Sequence, residues 1–261
     1  MRNVFLLIML ACSSTIQCWS QKNGTLHLSL GGALPVGKFA SKDAGDPASG
    51  LANLGSLAEI GYSHPVGTHH WGITVGISGR LNGIDNKANT SLLQQTYPGY
   101  SWSVPNSHWK AMSAMTGVYY HIPITPKFDI QTDLSLGAAI CYIPDYTLTG
   151  LLDTATTGPN PSDMIVAKVN KVHTTTFSAR AGAGMIYHLN RRLQLLAHLD
   201  FWYLKPNFKN VTQTLAVAHH LVVPGYLSLN NFTSISYYGD THDYKQNMST
   251  INLSVGLGLS L

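Results

Sequence analysis

Residues 251–261 read Ile-Asn-Leu-Ser-Val-Gly-Leu-Gly-Leu-Ser-Leu. Every odd position holds Ile, Leu or Val, and every even position holds Asn, Ser or Gly. A repeat of two places one apolar row along a β-strand, whereas a helix would scatter the same residues around its axis. The segment therefore predicts a strand with one apolar face and one face of small polar residues.

The same alternation recurs along the chain and predicts eight strands. They cover residues 25–34, 54–62, 71–81, 110–122, 128–142, 177–189, 193–203 and 251–261. These lengths bracket the roughly 9–11 residues that a tilted strand needs to cross a bilayer.

The connections between these segments alternate in length. His64–His70, Pro123–Lys127 and Asn190–Arg192 are short, whereas the other connections span roughly 20, 25, 30 and 45 residues. Short turns at one end, long loops at the other and an even strand number are typical of outer-membrane barrels. The fold class we predict is all-β: an eight-stranded antiparallel up-and-down transmembrane β-barrel with short periplasmic turns and long extracellular loops.

The composition favours lipid over water on the apolar face. Only 11% of the 261 residues are charged, against about 25% in an average soluble domain. A soluble barrel is the alternative, but its outward polar face would carry Lys and Glu, whereas these faces carry Gly, Ser, Thr and Asn. The formal charge of +4 is spread thinly, and no basic stripe indicates nucleic acid as a partner.

The N-terminus has the pattern of an export signal. Arg2 precedes eight apolar residues, Val4–Ala11, which suit a signal peptide and are too few for a spanning helix. We predict a signal peptide over residues 1–20 and an outer-membrane β-barrel domain over 21–261. Lipidation of Cys12 is the alternative. After cleavage Cys141 is the remaining cysteine, which excludes an intrachain disulfide.

Several segments resemble the small outer-membrane β-barrel domain proteins of Bacteroidetes. The resemblance is carried by Leu28–Ala40 (LSLGGALPVGKFA), Gly61–Gly67 (GYSHPVG), Leu81–Asp85 (LNGID) and the segment from Trp109 to Pro123 that ends GVYYHIP. It implies an outer-membrane location and specifies a fold rather than an activity. The chain departs from many outer-membrane barrels of other bacteria by ending in Leu261 rather than Phe.

Charged residues on the lumen-facing side of the strands form the first candidate site. They are Glu59, Arg80, Asp133, Arg180 and Asp200, accompanied by His27, His188 and His198. Because the interior of an eight-stranded barrel is just filled by side chains, isolated charges inside it must be paired. We predict an ion-pair network with Glu59 beside Arg80 and Asp133 beside Arg180, each pair on adjacent strands. A pocket for a polar ligand is the alternative.

The fourth long loop, about residues 204–248, forms the second candidate site. Leu215–Val223 and Tyr226–Tyr238 are apolar and β-prone, and we expect them to extend the last two strands above the membrane. The loop is rich in the aromatic residues that anchor interfaces. We predict an interaction surface for a surface polymer or protein partner at Tyr226, Phe232, Tyr237, Tyr238 and Tyr244.

The residues do not form a recognisable catalytic or metal site. The chain contains the residue types of a hydrolytic site, for instance Ser178, His188, His198 and Asp200, and the last two share a strand face; a hydrolytic triad, however, is defined by geometry and not by inventory. The pairs His69-His70 and His219-His220 would point to opposite sides of an extended chain. We predict no catalytic residue, no metal and no cofactor, and a monomer in outer-membrane lipid with a structural or surface-interaction role. The alternatives are a component of an outer-membrane secretion or assembly machine and a lipid A-modifying enzyme; a porin-like pore ranks last.

Overall fold

The computed structural model describes residues 24–43, 46, 48–67, 70–152, 164–219 and 234–261. The predicted signal peptide and Cys12 lie outside these ranges. The described strands are, in chain order, β1 (Thr25–Pro35), β2 (Ala52–Pro65), β3 (Trp71–Ile84), β4 (Tyr100–Ser103), β5 (His108–Thr125), β6 (Phe128–Tyr142), β7 (Tyr146–Leu152), β8 (Met164–Val169), β9 (His173–His188), β10 (Leu193–Leu204), β11 (Asn207–His219), β12 (Ser234–Lys245) and β13 (Thr250–Ser260).

Eight of these strands close into an antiparallel barrel. The order around the wall is β1, β2, β3, β5, β6, β9, β10 and β13, and β13 pairs with β1 to complete the circle. The predicted fold class is confirmed, and each of the eight predicted segments overlaps one wall strand. Several strands run farther toward the long loops than predicted, because their polar ends rise above the apolar zone where the alternation stops.

The short turns are tightened by local hydrogen bonds. In the turn between β9 and β10, Asn190 Oδ1 accepts from the backbone nitrogens of Arg192 and Leu193, each at 2.8 Å. This Asx turn joins the two strands in minimal length. The short connections therefore fix one end of the barrel and leave the other end to the long loops.

The outer surface of the barrel is an apolar belt. Side chains of the alternating apolar rows are exposed, such as Leu28 at 56%, Phe177 at 58% and Val255 at 65%. On a soluble protein such a surface would be costly, because apolar area favours leaving water. A closed barrel leaves no unpaired strand edge, which is the condition for crossing lipid with β-strands. The belt therefore faces the hydrocarbon of a membrane.

The long loops build a second sheet beyond the barrel. Its order is β12, β11, β8, β7 and β4, with antiparallel pairing throughout. The predicted β-structure of the fourth loop is confirmed for residues 215–219 and 234–238, but these strands belong to the second sheet rather than to the barrel wall; residues 220–233 lie outside the described ranges. The strands of the second and third loops were not predicted, since they are short and pair with residues far away in sequence.

The second loop also contains helix α1 (Asn86–Thr96). The side chain of Asp85 caps it by accepting from the backbone nitrogens of Lys87 and Ala88. These bonds, together with nearby Lys42, hold the pKa of the Asp85 carboxyl below its usual range. None of the described helices is long and apolar enough to cross a membrane.

A charge placed in the belt tests its contact with lipid. Leu134 lies at the middle of β6 and is 52% exposed, so we expect Leu134→Arg to lower the free energy of unfolding in lipid vesicles by about 2–4 kcal/mol. Ile124, at the end of β5, is 53% exposed, and Ile124→Arg near the interface should cost about 1 kcal/mol or less. Guanidinium titrations followed by tryptophan fluorescence would measure both. Equal costs at the two positions would contradict a membrane-spanning belt.

Candidate functional site: the barrel lumen and the loop sheet

An ion-pair cluster crosses the middle of the lumen. Arg180 on β9 forms a salt bridge with Glu59 on β2, and its Nε lies 3.7 Å from Asp133 Oδ2 on β6. β9 and β2 are not neighbours in the wall, so the guanidinium spans the interior. The structure places Asp133 beside Arg180, as predicted.

Histidines extend this cluster in both directions. His198 donates from Nε2 to Asp133 at 2.6 Å, and its Nδ1 lies 3.4 Å from Asp200. At the other side, His27 Nε2 lies 3.5 Å from Glu59. Asn252 Nδ2 donates to Asp200 at 2.6 Å. The cluster thus links six strands of the wall through side chains alone.

Two glycines on β9 make room for the imidazole of His198. Gly184 pairs with His198 and Gly182 pairs with Asp200 on β10. A Cβ at Gly184 would lie 2.6 Å from His198 Cδ2, and one at Gly182 would lie 2.5 Å from His198 Cε1. The ring therefore lies flat across bare backbone, which directs its nitrogens toward the two carboxylates.

The predicted pairing of Arg80 with Glu59 is wrong. Arg80 is 2% exposed and donates instead to Thr250 Oγ1 and to the carbonyl of Met248. Its guanidinium carbon lies 4.6 Å from the ring centre of Trp202, a cation–π contact. The side chain points toward the loop end, away from Glu59, where the Thr250 hydroxyl, the Met248 carbonyl and the Trp202 ring contact its guanidinium.

Arg80 lies within an apolar cluster that closes the loop end of the lumen. The cluster combines wall residues with residues from the loops above them, and its members include Phe39, Trp109, Trp202, Leu204, Phe208, Val211 and Met248. Trp109 Nε1 donates to the carbonyl of Gly50 at 2.9 Å, which ties the first long loop across the mouth. We call this group the mouth cluster. It separates the lumen from the loop side.

Below the mouth cluster the lumen contains a small polar cavity of about 80 Å³. Its walls include Glu59, Asp133, Arg180 and His198, together with Tyr119. The lining residues next to the short turns, such as Thr25, Ser63 and Gln194, are half-buried, whereas lumen residues near the loops are buried. The cavity therefore opens at the short-turn end.

The remaining histidine and hydroxyl candidates are occupied elsewhere. His188 Nε2 lies 2.9 Å from Asp129 near the short turns, outside the central cluster. Ser178 is fully buried; its hydroxyl accepts from Trp202 Nε1 at 2.6 Å and donates to the sulfur of Met115. Within the described ranges, no group of three or more His, Cys, Asp and Glu is placed to hold a metal ion. Of the two histidine pairs, His69 and His220 lie outside those ranges.

The aromatic residues predicted for the interaction surface fall in different environments. Tyr238 on β12 is 61% exposed. Tyr244 instead stacks on Trp109 and Phe208, with ring centres 6.3 Å apart in each case; its predicted place on the surface is corrected to the edge of the mouth cluster. Tyr237 lies on the same strand as Tyr238, while Tyr226 and Phe232 lie outside the described residues.

Sequence reasoning missed two aromatic groups. Trp109 and Trp202 occupy lumen-facing positions of their strands, where their bulk interrupts the small polar row; that interruption was the available indication of the mouth cluster. At the edge strand β4, Trp102 contacts Tyr97 at 5.8 Å and Tyr100 at 6.1 Å between ring centres. No pattern in the second loop indicated this second group.

Comparison with known proteins finds similarity in structure alone. No family model and no curated protein matches the chain. Solved structures that are similar include Neisserial surface protein A (10% identity, 91% of this chain and 97% of that chain, TM-score 0.43). A major outer membrane protein from Thermus thermophilus (10%, 91% and 99%, 0.46) and the attachment invasion locus protein Ail of Yersinia pestis (11%, 91% and 99%, 0.36) are also similar. At such identities the likeness does not extend to activity.

The location follows from the chain's own surface. A closed antiparallel barrel with an apolar outer belt, short turns at one end and long loops at the other is the architecture of outer-membrane proteins. The protein is an outer-membrane β-barrel. Its long-loop end, which carries the second sheet, faces outward from the cell, and its polar cavity opens toward the periplasm.

Removing one partner of the Glu59–Arg180 pair should destabilise the barrel. Glu59→Gln leaves the Arg180 charge without its main partner, and we expect a loss of about 3–5 kcal/mol in the free energy of unfolding. Arg180→Met should cost a similar amount, and the double variant should cost less than the sum of the two. Asp129→Asn is the control, because the pair it breaks is more exposed and should contribute under about 1 kcal/mol. If the double variant lost as much free energy of unfolding as the two single variants together, the two groups would not interact.

The mouth cluster predicts that the wild-type barrel does not conduct ions. In planar bilayers we expect no stable unitary current from the wild type. The double variant Arg80→Ala/Trp202→Ala removes two large buried side chains that contact each other at this level and should give measurable openings. If the wild type carried sustained currents and the double variant carried no larger ones, closure of the lumen by these residues would be contradicted.

Proposed function

We propose that this protein has a structural or surface-interaction role in a bacterial outer membrane and catalyses no reaction. The single observation that carries the proposal is the division of the molecule at the mouth cluster. Below it lies a closed, ion-paired lumen, and above it lies a sheet built from three loops. Transport through the barrel and chemistry inside it are both disfavoured by this division, whereas contact at the outer sheet is not.

The closed lumen argues against a channel. Arg180 spans the interior to reach Glu59, and the space left around the cluster is about 80 Å³. A volume of this size holds a few water molecules at most. Above it, Trp202 and Leu204 are about as buried as residues of a soluble core, at 1% and 0% exposure.

The lumen also argues against a lipid-modifying enzyme. Such an enzyme must present its nucleophile and base to a lipid in the outer leaflet, but His198 and Asp200 point into the barrel. The Ser178 hydroxyl is bonded to Trp202 and Met115 rather than to an imidazole. Asp133 and Asp200 instead hold His198 from both sides within a structural cluster.

The loop sheet supports a surface-interaction role. Loops joined into one sheet are held in place, and binding to ordered loops costs less conformational entropy than binding to free ones. β12 lies at one border of this sheet and carries the exposed ring of Tyr238. We place the contact for a surface polymer or protein partner at the fourth loop, on a monomeric barrel held in outer-membrane lipid.

Several wall segments resemble the small outer-membrane barrels of Bacteroidetes, and this resemblance suggests an alternative to the proposal. In that setting the alternative is a component of a secretion or assembly machine. A machine component would keep a stable partner through purification in mild detergent, whereas a surface-interaction protein would bind its ligand only when the ligand is added.

The test uses the barrel in nanodiscs, applied to arrays of bacterial surface polysaccharides and purified surface proteins. We expect binding to at least one polymer or protein, and Tyr238→Ser should weaken it about tenfold, the effect of losing one aromatic anchor. The control is Tyr97→Ser, which removes a ring that is 37% exposed in the second loop and should leave binding unchanged.

Two results would contradict the proposal. Loss of binding through Tyr97→Ser with no effect of Tyr238→Ser would move the surface to the second loop. Deacylation or acyl transfer on lipid A incubated with the wild-type protein, seen by mass spectrometry and abolished by His198→Ala, would show an enzyme.

A further inference from the structure

We infer that the outer face of β2, β3, β5 and β6 binds one phosphorylated lipid of the outer leaflet at a defined site. The site combines a groove for acyl chains with two lysines above it. It depends on the orientation of the barrel in the membrane but not on the proposed role of the loop sheet.

The groove arises where small residues interrupt the apolar belt. Strand pairing places Leu30, Ala58, Gly79 and Met112 side by side in one row around the wall. The two small residues at the centre leave a depression between Leu30 and Met112, which are 60% and 56% exposed. A Cβ at Gly79 would have no heavy atom within 4 Å, so the space beside it is open. The groove measures about 570 Å³.

The next row toward the loops supplies the positive charge. Leu81, Lys110, Tyr142 and His173 pair in register along β3, β5, β6 and β9. Lys110 lies two residues from Met112 on the same strand, so both side chains point outward. Lys171 lies just before β9, with its Nζ 5.7 Å from the ring centre of Tyr142. The two lysines therefore flank one tyrosine at the loop edge of the belt, and both lysines line the groove.

Neither lysine is paired with a carboxylate in the part of the chain that the structure describes. Among the described residues, the ion pairs of lysine involve Lys38, Lys42 and Lys209, and neither Lys110 nor Lys171 takes part in one. Exposed aliphatic stems near the interface allow an ammonium group to reach the headgroup level while the stem stays in the apolar zone. A phosphate at that level receives two cations, and acyl chains attached to it lie directly over Gly79 and Ala58.

The occupant is a lipid rather than a second copy of the chain. A second barrel would fill the groove with its own apolar belt but would offer the two lysines no phosphate, whereas an anionic headgroup at their level pairs with both. The two lysines complement the charge of a phosphate, and the groove lies at the level of the outer leaflet. Both features match a phosphate joined to acyl chains.

Native mass spectrometry of the detergent-refolded chain tests the site, with bisphosphorylated hexa-acyl lipid A as the probe. We expect the wild type to retain one lipid with a defined Kd. Lys110→Gln/Lys171→Gln should raise that Kd about thirtyfold, since each basic group near a membrane surface contributes about a factor of five. Dephosphorylated lipid A should bind the wild type as weakly as the phosphorylated form binds the double variant. Gly79→Leu, which fills the groove, should also weaken binding.

Matched controls separate a site from general adsorption to the belt. Lys205→Gln removes an exposed lysine at the loop end of β10, and Ala183→Leu adds bulk to the outer face of β9; both should leave the Kd unchanged. A heat-dependent gel shift checks that each variant is folded. Equal weakening by the controls, retention of several equivalent lipids, or a double variant that binds like the wild type would overturn the proposal. So would a groove variant that changes dimer content and not lipid retention.

Discussion

The narrow bore of an eight-stranded barrel constrains everything else in this structure. Closing eight strands leaves an interior that side chains just fill, while the outside must present apolar groups to lipid. Each wall residue therefore faces one of two demanding environments. Charges that point inward must find partners across the lumen, which is why Arg180 reaches from β9 to Glu59 on β2.

The lumen meets this constraint differently along its length. Toward the short turns it is polar: its central charges form one linked cluster around Asp133, and His188 pairs separately with Asp129. Toward the loops it is closed by aromatic and aliphatic side chains, with Arg80 stabilised by Trp202 and by the Met248 carbonyl rather than by a carboxylate. This buried arginine is held without an acid by the Thr250 hydroxyl, the Met248 carbonyl and the faces of Trp202 and Phe39. Recognition is consequently left to the outer sheet and the outer wall.

The wall was predictable from sequence because the period of two encodes both faces at once. Residues 128–142 were predicted as a strand and form β6 with the same bounds. Glu59, Asp133, Arg180 and Asp200 were correctly assigned to the lumen for the same reason. Adjacency along the wall correctly predicted Asp133 beside Arg180 but wrongly predicted Glu59 beside Arg80, because the long guanidinium of Arg180 crosses the narrow bore to Glu59 on the opposite side. Tyr244 was misplaced because aromatic content alone does not distinguish a surface ring from one stacked under a loop.

By itself, the sequence determined the number of wall strands, their direction, the side that meets lipid and the approximate length of each loop, because these depend on local alternation and spacing. Tertiary structure decided which charges pair, that three loops share one sheet, and that Ala58, Gly79 and Lys110 lie beside one another. Those features join residues that are far apart in the chain. Their contacts are fixed by strand register and by the diameter of the closed barrel, which exist only after the wall has formed.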